Sequence, residues 1–355
     1  MNRKNICEIC TLIMGQSPDS KSYNKDKNGI PFYQGNADFG EEHPTPTVWC
    51  TAPKKIARKG DILISVRAPI GDMNIANEDC CIGRGLAAIR LNKSDIVDIN
   101  YLYHYLSATV EFLQEQGTGS TFKAINKTTL EGIEIPCPSI EKQKNIAKLI
   151  IEIKTSIQYK KAELFALDEL VKSRFIEMFG TIDLSAQEDS WSSLKDVTTI
   201  FTGTTPNTKE SDNWNGNIPW ITPAELKSDS FIIYDTERKI TDNGMKSKSL
   251  SLMPINTVLL STRAPIGKVA ISGIEMCCNQ GFKNFFCKEE TLNPIYLYTL
   301  LRNNIDYLNS LGTGTTFKEI SKSNAGNIKI PVADISLQNK FADFVKLIDK
   351  SKFVG

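Results

Sequence analysis

The sequence predicts an α+β fold: two similar globules separated by long helices that pair as an antiparallel coiled coil. Three observations predict it. The chain repeats itself, each copy carries the same order of strand-like and helix-like segments, and a heptad seam follows the first copy.

The repeat is read directly. SVRAPIG (65–71) answers STRAPIG (261–267), and QGTGSTFKAI (116–125) answers LGTGTTFKEI (311–320). YLYHYL (101–106) answers YLYTLL (296–301), and IEIPCPSIEKQKNIAKLI (133–150) answers IKIPVADISLQNKFADFV (328–345). Upstream, IMGQSP (13–18) matches FTGTTP (201–206), and IPFY (30–33) matches IPWI (218–221). The offset is 188 in the upstream blocks, 196 at the Arg-Ala-Pro block and 195 afterwards. Two copies, each far longer than about 50 residues, are not a solenoid.

Within each copy, DILISV (61–66) and TVLLST (257–262) read as buried strands that end at an Arg-Ala-Pro turn. A helix follows near Asn100–Leu113 and Pro294–Leu308, then a Gly-Thr loop, a proline-bounded strand and a second helix. The expected boundaries are 1–138 and 181–334 for the globules, 139–180 for a central spacer helix and 335–355 for a second, shorter one.

The spacer follows from spacing. Ile146, Ile150, Ile153, Ile157, Leu164, Leu167, Val171 and Met178, completed by Lys160 and Arg174, recur at alternating steps of four and three. Neither Pro nor Gly interrupts Ser139–Phe179, and Gly180 is a natural stop. At about 1.5 Å per residue, roughly 40 residues span about 60 Å. Phe341, Val345 and Ile348 begin the same seam in the second copy. A solitary helix with such a stripe must bury it, and the repeat offers an antiparallel partner. The alternative is one helix packed across a compact two-domain core.

Composition excludes whole classes. The 41% hydrophobic and 23% charged residues of this 355-residue chain are those of an ordinary globular protein, not of a disordered or fibrous one. No apolar run approaches the roughly eighteen residues of a membrane span, and the N-terminus lacks a signal-peptide core, so the expected location is cytoplasmic. Nine cysteines with a single Cys7-x-x-Cys10 pair, and only two histidines, argue for reduced thiols and no metal site. Net charge is +1, and the segments 1–139 and 181–335 carry 15 basic against 16 acidic and 15 against 17 residues. A polyanion partner would therefore require charges segregated onto faces, or a second protein that neutralises phosphates.

Catalytic signatures are absent from the sequence: no phosphate-binding loop, no dinucleotide fingerprint, no zinc-protease or nucleophile-elbow motif. Asn293-Pro294-Ile295-Tyr296 has the look of the Asn-Pro-Pro-Tyr/Phe loop of amino-methyltransferases. Its counterpart, Asp98-Ile99-Asn100-Tyr101, opens the same helix, so a helix cap is the preferred reading. A binding scaffold remains. Two similar globules at fixed separation suit a target with two sites, and duplex DNA presents the same face about every 34 Å.

Loops rich in Lys, Asn, Gln, Thr and aromatics suit phosphates and base edges. In the first copy, 17–29 supplies Lys21 and Lys25, 31–40 supplies Tyr33, Gln34 and Asn36, and Arg84, Thr118, Ser120 and Lys123 follow. In the second, 205–217 supplies Thr205, Asn207, Lys209 and Trp214, and 239–249 supplies Lys246 and Lys248. Gln280, Lys283, Thr315 and Lys318 complete the candidates. Residues identical in both copies cannot encode two different half-sites. Arg67 and Arg263, Gly119 and Gly314, and Phe122 and Phe317 are therefore expected to maintain the fold or a common contact, and the divergent loops to carry specificity.

Taken together, the doubled openings, the strand before [ST]-x-R-A-P-I-G, the G-T-G-[ST]-T-F-K-x-I loop and the proline-bounded strand leading to a Gln-containing helix resemble the specificity subunit of Type I restriction-modification systems. The resemblance covers essentially the whole chain, and FALDELVKSRFIEMFG (165–180) is similar to the end of that family's central spacer. It implies two target-recognition domains reading an asymmetric bipartite sequence in double-stranded DNA. It implies helical regions that dock two methyltransferase subunits, with restriction subunits joining them. S-adenosylmethionine and ATP would belong to those partners, with no cofactor on this chain and no membrane contact. The second spacer helix departs from the pattern, since it has no counterpart to Leu164–Phe179. Two other readings stay open: a fused specificity-methyltransferase enzyme, and a coiled-coil scaffold that never touches nucleic acid.

Overall fold

The computed structural model describes residues 2–117, 123–227, 229–313 and 318–352, without the side chains of 350–352. The chain divides into two units, 1–159 and 160–355.

The first unit is built on a four-stranded antiparallel sheet in the order Cys10–Met14, Leu86–Leu91, Ile62–Ser65, Met73–Ile75. One face carries Ile62, Ile64, Ala87 and Ile89 against helix α1 (Ile99–Ala108) and the start of helix α2 (Ile140–Phe179), whose Ala147 is buried there. The other face carries Leu63, Leu86 and Ala88 into a smaller cluster with Tyr33 and Ile82. This is the alternation expected of a sheet buried on both faces. A second sheet runs Tyr23–Asn24, Trp49–Cys50, Ile30–Tyr33, Cys80–Ile82, Ile56–Ala57, with Ile30–Tyr33 parallel to Cys80–Ile82.

The second unit repeats the plan. Its main sheet runs Thr198–Thr202, Lys283–Cys287, Val258–Leu260, Val269–Ser272, then Ile232–Ile233 added in parallel. Trp214–Ile221 lies parallel to Cys277–Cys278, in the register of its first-unit equivalent. Helix α3 (Pro294–Asn303) takes the place of α1, and helix α4 (Ile335–Lys352) follows. Each unit has a glycine that only a missing side chain permits. A Cβ on Gly15 would sit 2.1 Å from the Gly83 carbonyl oxygen, and one on Gly203 would sit 1.8 Å from that of Cys278.

Two buried glutamines show how deep the duplication runs. In the first unit, Gln143 Oε1 accepts from the Asp98 amide, and its Nε2 donates to the Ile96 and Pro138 carbonyls at 2.9 Å. In the second, Gln338 Oε1 accepts from the Asn293 amide, and its Nε2 donates to the Thr291 and Ala333 carbonyls. Both side chains are fully buried. Each closes off backbone groups beside a helix start that no ladder satisfies. Tyr101 and Tyr296 likewise donate to the Pro136 and Pro331 carbonyls, both at 2.9 Å.

The helices refine two expectations. The segments expected as single helices break at Thr109 and Asn304, giving Val110–Glu115 and Ile305–Ser310 as separate turns. Asn304 leaves helical geometry because its side chain is used elsewhere: Nδ2 donates to the Leu300 carbonyl and Oδ1 accepts from the Leu184 amide. Helix α2 has 40 residues and α4 has 18. In the second unit they pack antiparallel. Phe341 meets Phe175 and Phe179 at ring separations of 5.3 and 5.7 Å, whereas the later Phe344 lies beside the earlier Arg174. The heptad seam is covered at its ends, by the first core around Ile146 and the second around Val171 and Met178. Between them Ile153, Ile157 and Leu164 are 59%, 49% and 36% exposed, as the shortness of the second helix leads one to expect. Ile150 and Leu167 are half-buried, while Val345 is buried.

Candidate nucleic-acid interface

In both units the segment after the central strand is stitched to two neighbours. In the first, the Val66 amide donates to the Gly85 carbonyl, the Ile125 amide to Val66 and the Ala68 amide to Lys123. Ser65 Oγ donates to the Pro69 carbonyl and accepts from the Asp72 amide, holding the turn around a cis Ala68–Pro69 peptide. In the second, Thr262 donates to Gly281, Ile320 to Thr262, and Ser261 Oγ repeats both bonds around cis Ala264–Pro265. The repeated motif therefore places Arg67, Arg84 and Lys123 on adjacent backbone segments of one unit, and Arg263, Gln280 and Lys318 on those of the other.

The candidates fall into three groups. Lys21, Lys25, Gln34, Arg84, Lys123, Asn207, Lys209, Lys246, Lys248 and Lys318 are exposed. Asn36, Thr205, Trp214 and Gln280 are half-buried and held by neighbours. Ser17 Oγ donates to Gln34 Oε1 at 2.9 Å, Thr205 Oγ1 to Gln280 Oε1 at 2.8 Å, and Asn36 Nδ2 to Asp72. Tyr33 and Lys283 are corrections. Tyr33 is fully buried because it pairs with Ile82 in the position Ile221 fills in the second unit, so it is a core residue. Lys283 is 6% exposed, and its Nζ is bonded to Glu319 at 3.2 Å and to Thr262. Thr118, Ser120 and Thr315 lie outside the described residues, as do Gly119, Gly314, Phe122 and Phe317.

A residue the sequence did not single out joins the second unit's loops. The Arg238 guanidinium stacks 3.7 Å from the Trp214 ring and 5.2 Å from Trp220, and the two rings meet edge to face at 5.1 Å. Trp214 Nε1 donates to the Asn207 carbonyl, which fixes the loop beneath it. Trp214 and Arg238, with Thr208, Ser211, Asn215, Asp235 and Lys239, line an open, polar depression of about 620 Å³. Arg238 sits three positions beyond Asp235 in a mixed-charge run, so nothing in the linear pattern marked it.

The chemistry of the remaining groups is quiet. Burial pushes the Cys10, Cys80 and Cys287 thiols up to about 12 and that of Cys277 to about 11, away from thiolate reactivity. Burial, aided by Lys154, lowers His104. Among the described residues no three His, Cys, Asp or Glu side chains gather as a metal site, and no helix is long and apolar enough to cross a membrane. Asn293 is the cap of α3, its Oδ1 accepting from the Ile295 amide with Pro294 in the first turn.

The family comparison decides the class. The sequence pattern of the Type I restriction modification DNA specificity domain matches twice, over residues 1–167 and 188–353. The chain belongs to this family. Among its relatives in the specificity family, the putative type I restriction enzyme MjaX specificity subunit of Methanocaldococcus jannaschii is 47% identical over 161 residues, 45% of this chain and 38% of the relative. The MjaIX specificity subunit of the same organism is 36% identical over 185 residues, 51% of this chain and 43% of that one. This specificity chain thus matches about two fifths of the length of each. A crystal structure of a Type I restriction-modification S subunit from M. genitalium, 14% identical, covers 99% of this chain and 90% of its own with a TM-score of 0.64, a likeness of fold.

Proposed function

We propose that this chain is the DNA sequence-specificity subunit of a Type I restriction-modification complex, acting in the cytoplasm and not itself catalytic. Each unit reads one half of a bipartite target in double-stranded DNA. Methyltransferase subunits, two in number, dock on the helical region and supply the S-adenosylmethionine chemistry, and ATP-dependent restriction subunits join them. One observation carries this reading: a single scaffold occurs twice, held by the same buried bonds, with different polar loops mounted at equivalent places. Such an object recognises two different things in one way.

Near-neutral units support weak binding by the chain alone, with partner subunits closing around the duplex. The purified chain mixed with labelled S-adenosylmethionine and duplex DNA transfers no label until a methyltransferase subunit is added. Transfer by the chain alone would establish a fused enzyme instead. The unbroken helix α2 supports a ruler role, in which its length sets the unread gap between half-sites. Insertion of four residues after Tyr159 then changes the tolerated gap or abolishes assembly, and an unchanged gap in a methylation map counts against the ruler.

A further inference from the structure

The two units contain the same arginine in the same turn and surround it differently. In the second unit the backbone of Arg263 bridges to Glu319, and its Nε donates to Glu319 Oε2 at 2.9 Å. The other carboxylate oxygen takes the buried Lys283 ammonium at 3.2 Å. Burial works against ionisation of Glu319, but the two cations outweigh it and hold the carboxyl below its ordinary range. Arg263 is thereby one arm of a three-residue ion network.

In the first unit the equivalent bridge joins Arg67 to Ala124, so an alanine replaces the carboxylate. The strand position of Lys283, which pairs with Thr202, is filled by Ala87, which pairs with Met14. Among the described residues Arg67 has no acidic partner within ion-pair distance, and it is exposed. The acid on the same turn, Asp72, accepts from Asn36 Nδ2 at 2.5 Å. The stitched neighbours add charge of one sign. Arg84 stands where the second unit has Gln280, the Lys123 carbonyl accepts from the Ala68 amide, and both side chains are exposed.

We infer that the shared arginine has two roles: Arg67, with Arg84 and Lys123, contacts DNA phosphates, whereas Arg263, tied to Glu319 and Lys283, braces the second unit. This rests on the DNA-reading function proposed above. Phosphate is the chemistry that a planar, exposed guanidinium with no acceptor among the described residues recognises. The division follows from the partners of the two arginines, alanine at position 124 and glutamate at position 319.

The test is salt-dependent binding of the full chain to a labelled 30-base-pair duplex of random sequence, followed by fluorescence anisotropy from low salt upward. Each phosphate contact contributes about 0.9 to the slope of log affinity against log salt. Arg67→Gln lowers the slope by about that amount and leaves the unfolding midpoint unchanged. Arg263→Gln leaves the slope unchanged and lowers the midpoint. Ala124→Glu, which copies the second unit's brace, also lowers the slope, and adding it to Arg67→Gln lowers it no further. An unchanged slope in Arg67→Gln, or equal slope losses in Arg67→Gln and Arg263→Gln, overturns the division of roles while leaving the DNA reading intact. Absence of duplex binding by the wild-type chain at every salt concentration, both alone and with a methyltransferase subunit added, overturns both.

Discussion

The glutamine clamps and the ion pairs of the two units evolve under different physics. Gln143 and Gln338 are embedded in the same three backbone bonds, because the groups they satisfy belong to the fold itself. The charged pairs do not repeat. The first unit has a buried Asp61 that takes Arg90 at 2.8 Å and the Arg58 amide at 2.8 Å, where the second has Thr257 and Phe286. The second has the Arg263–Glu319–Lys283 network, where the first has Arg67, Ala124 and Ala87. Backbone satisfaction is dictated by topology and survives duplication, whereas side-chain charge is free to drift and to take on separate tasks.

That comparison breaks first at the clamps. Gln143→Ala and Gln338→Ala each strand two carbonyls and an amide and open a cavity, at a cost of about 3 kcal/mol in the unit concerned. Urea unfolding followed by hydrogen exchange, read separately for each unit, measures both; a marked effect in only one would show the clamps to be unequal. Asp61→Ala costs about 2 kcal/mol in the first unit, discounted because Arg90 is partly exposed and recovers some hydration. Thr257→Ala, at the equivalent position, loses the 2.7 Å bond to the Pro254 carbonyl and costs about 1 kcal/mol. If hydrogen exchange places the Thr257→Ala loss above that of Asp61→Ala, the ion pair is not a distinguishing support of the first unit.

Much of this architecture was legible in one dimension. The repeat survives as blocks of identical residues, and α2 begins within one residue of the expected start because proline before it and Gly180 after it punctuate the backbone. The roles of single side chains were less legible. Tyr33 reads as a polar loop aromatic, yet its strand pairing places it in the core. Lys283 reads as a free cation, yet Glu319, 36 residues away, pairs with it. Arg238 acquires its meaning from stacking on Trp214, a contact set by a strand pairing that no local pattern records. Heptad spacing marks an apolar stripe but could not say how much of it the chain's own packing covers, since that depends on which residues α4 reaches.

The central claim is that one chain carries two independent readers of DNA. Its most direct test is a genome-wide methylation map made with the reconstituted complex, before and after residues 17–60 are replaced by the corresponding loops of another specificity subunit. The expected result is a split target in which one half changes while the other half and the gap stay as they were. An uninterrupted target, or a change in both halves at once, would contradict it.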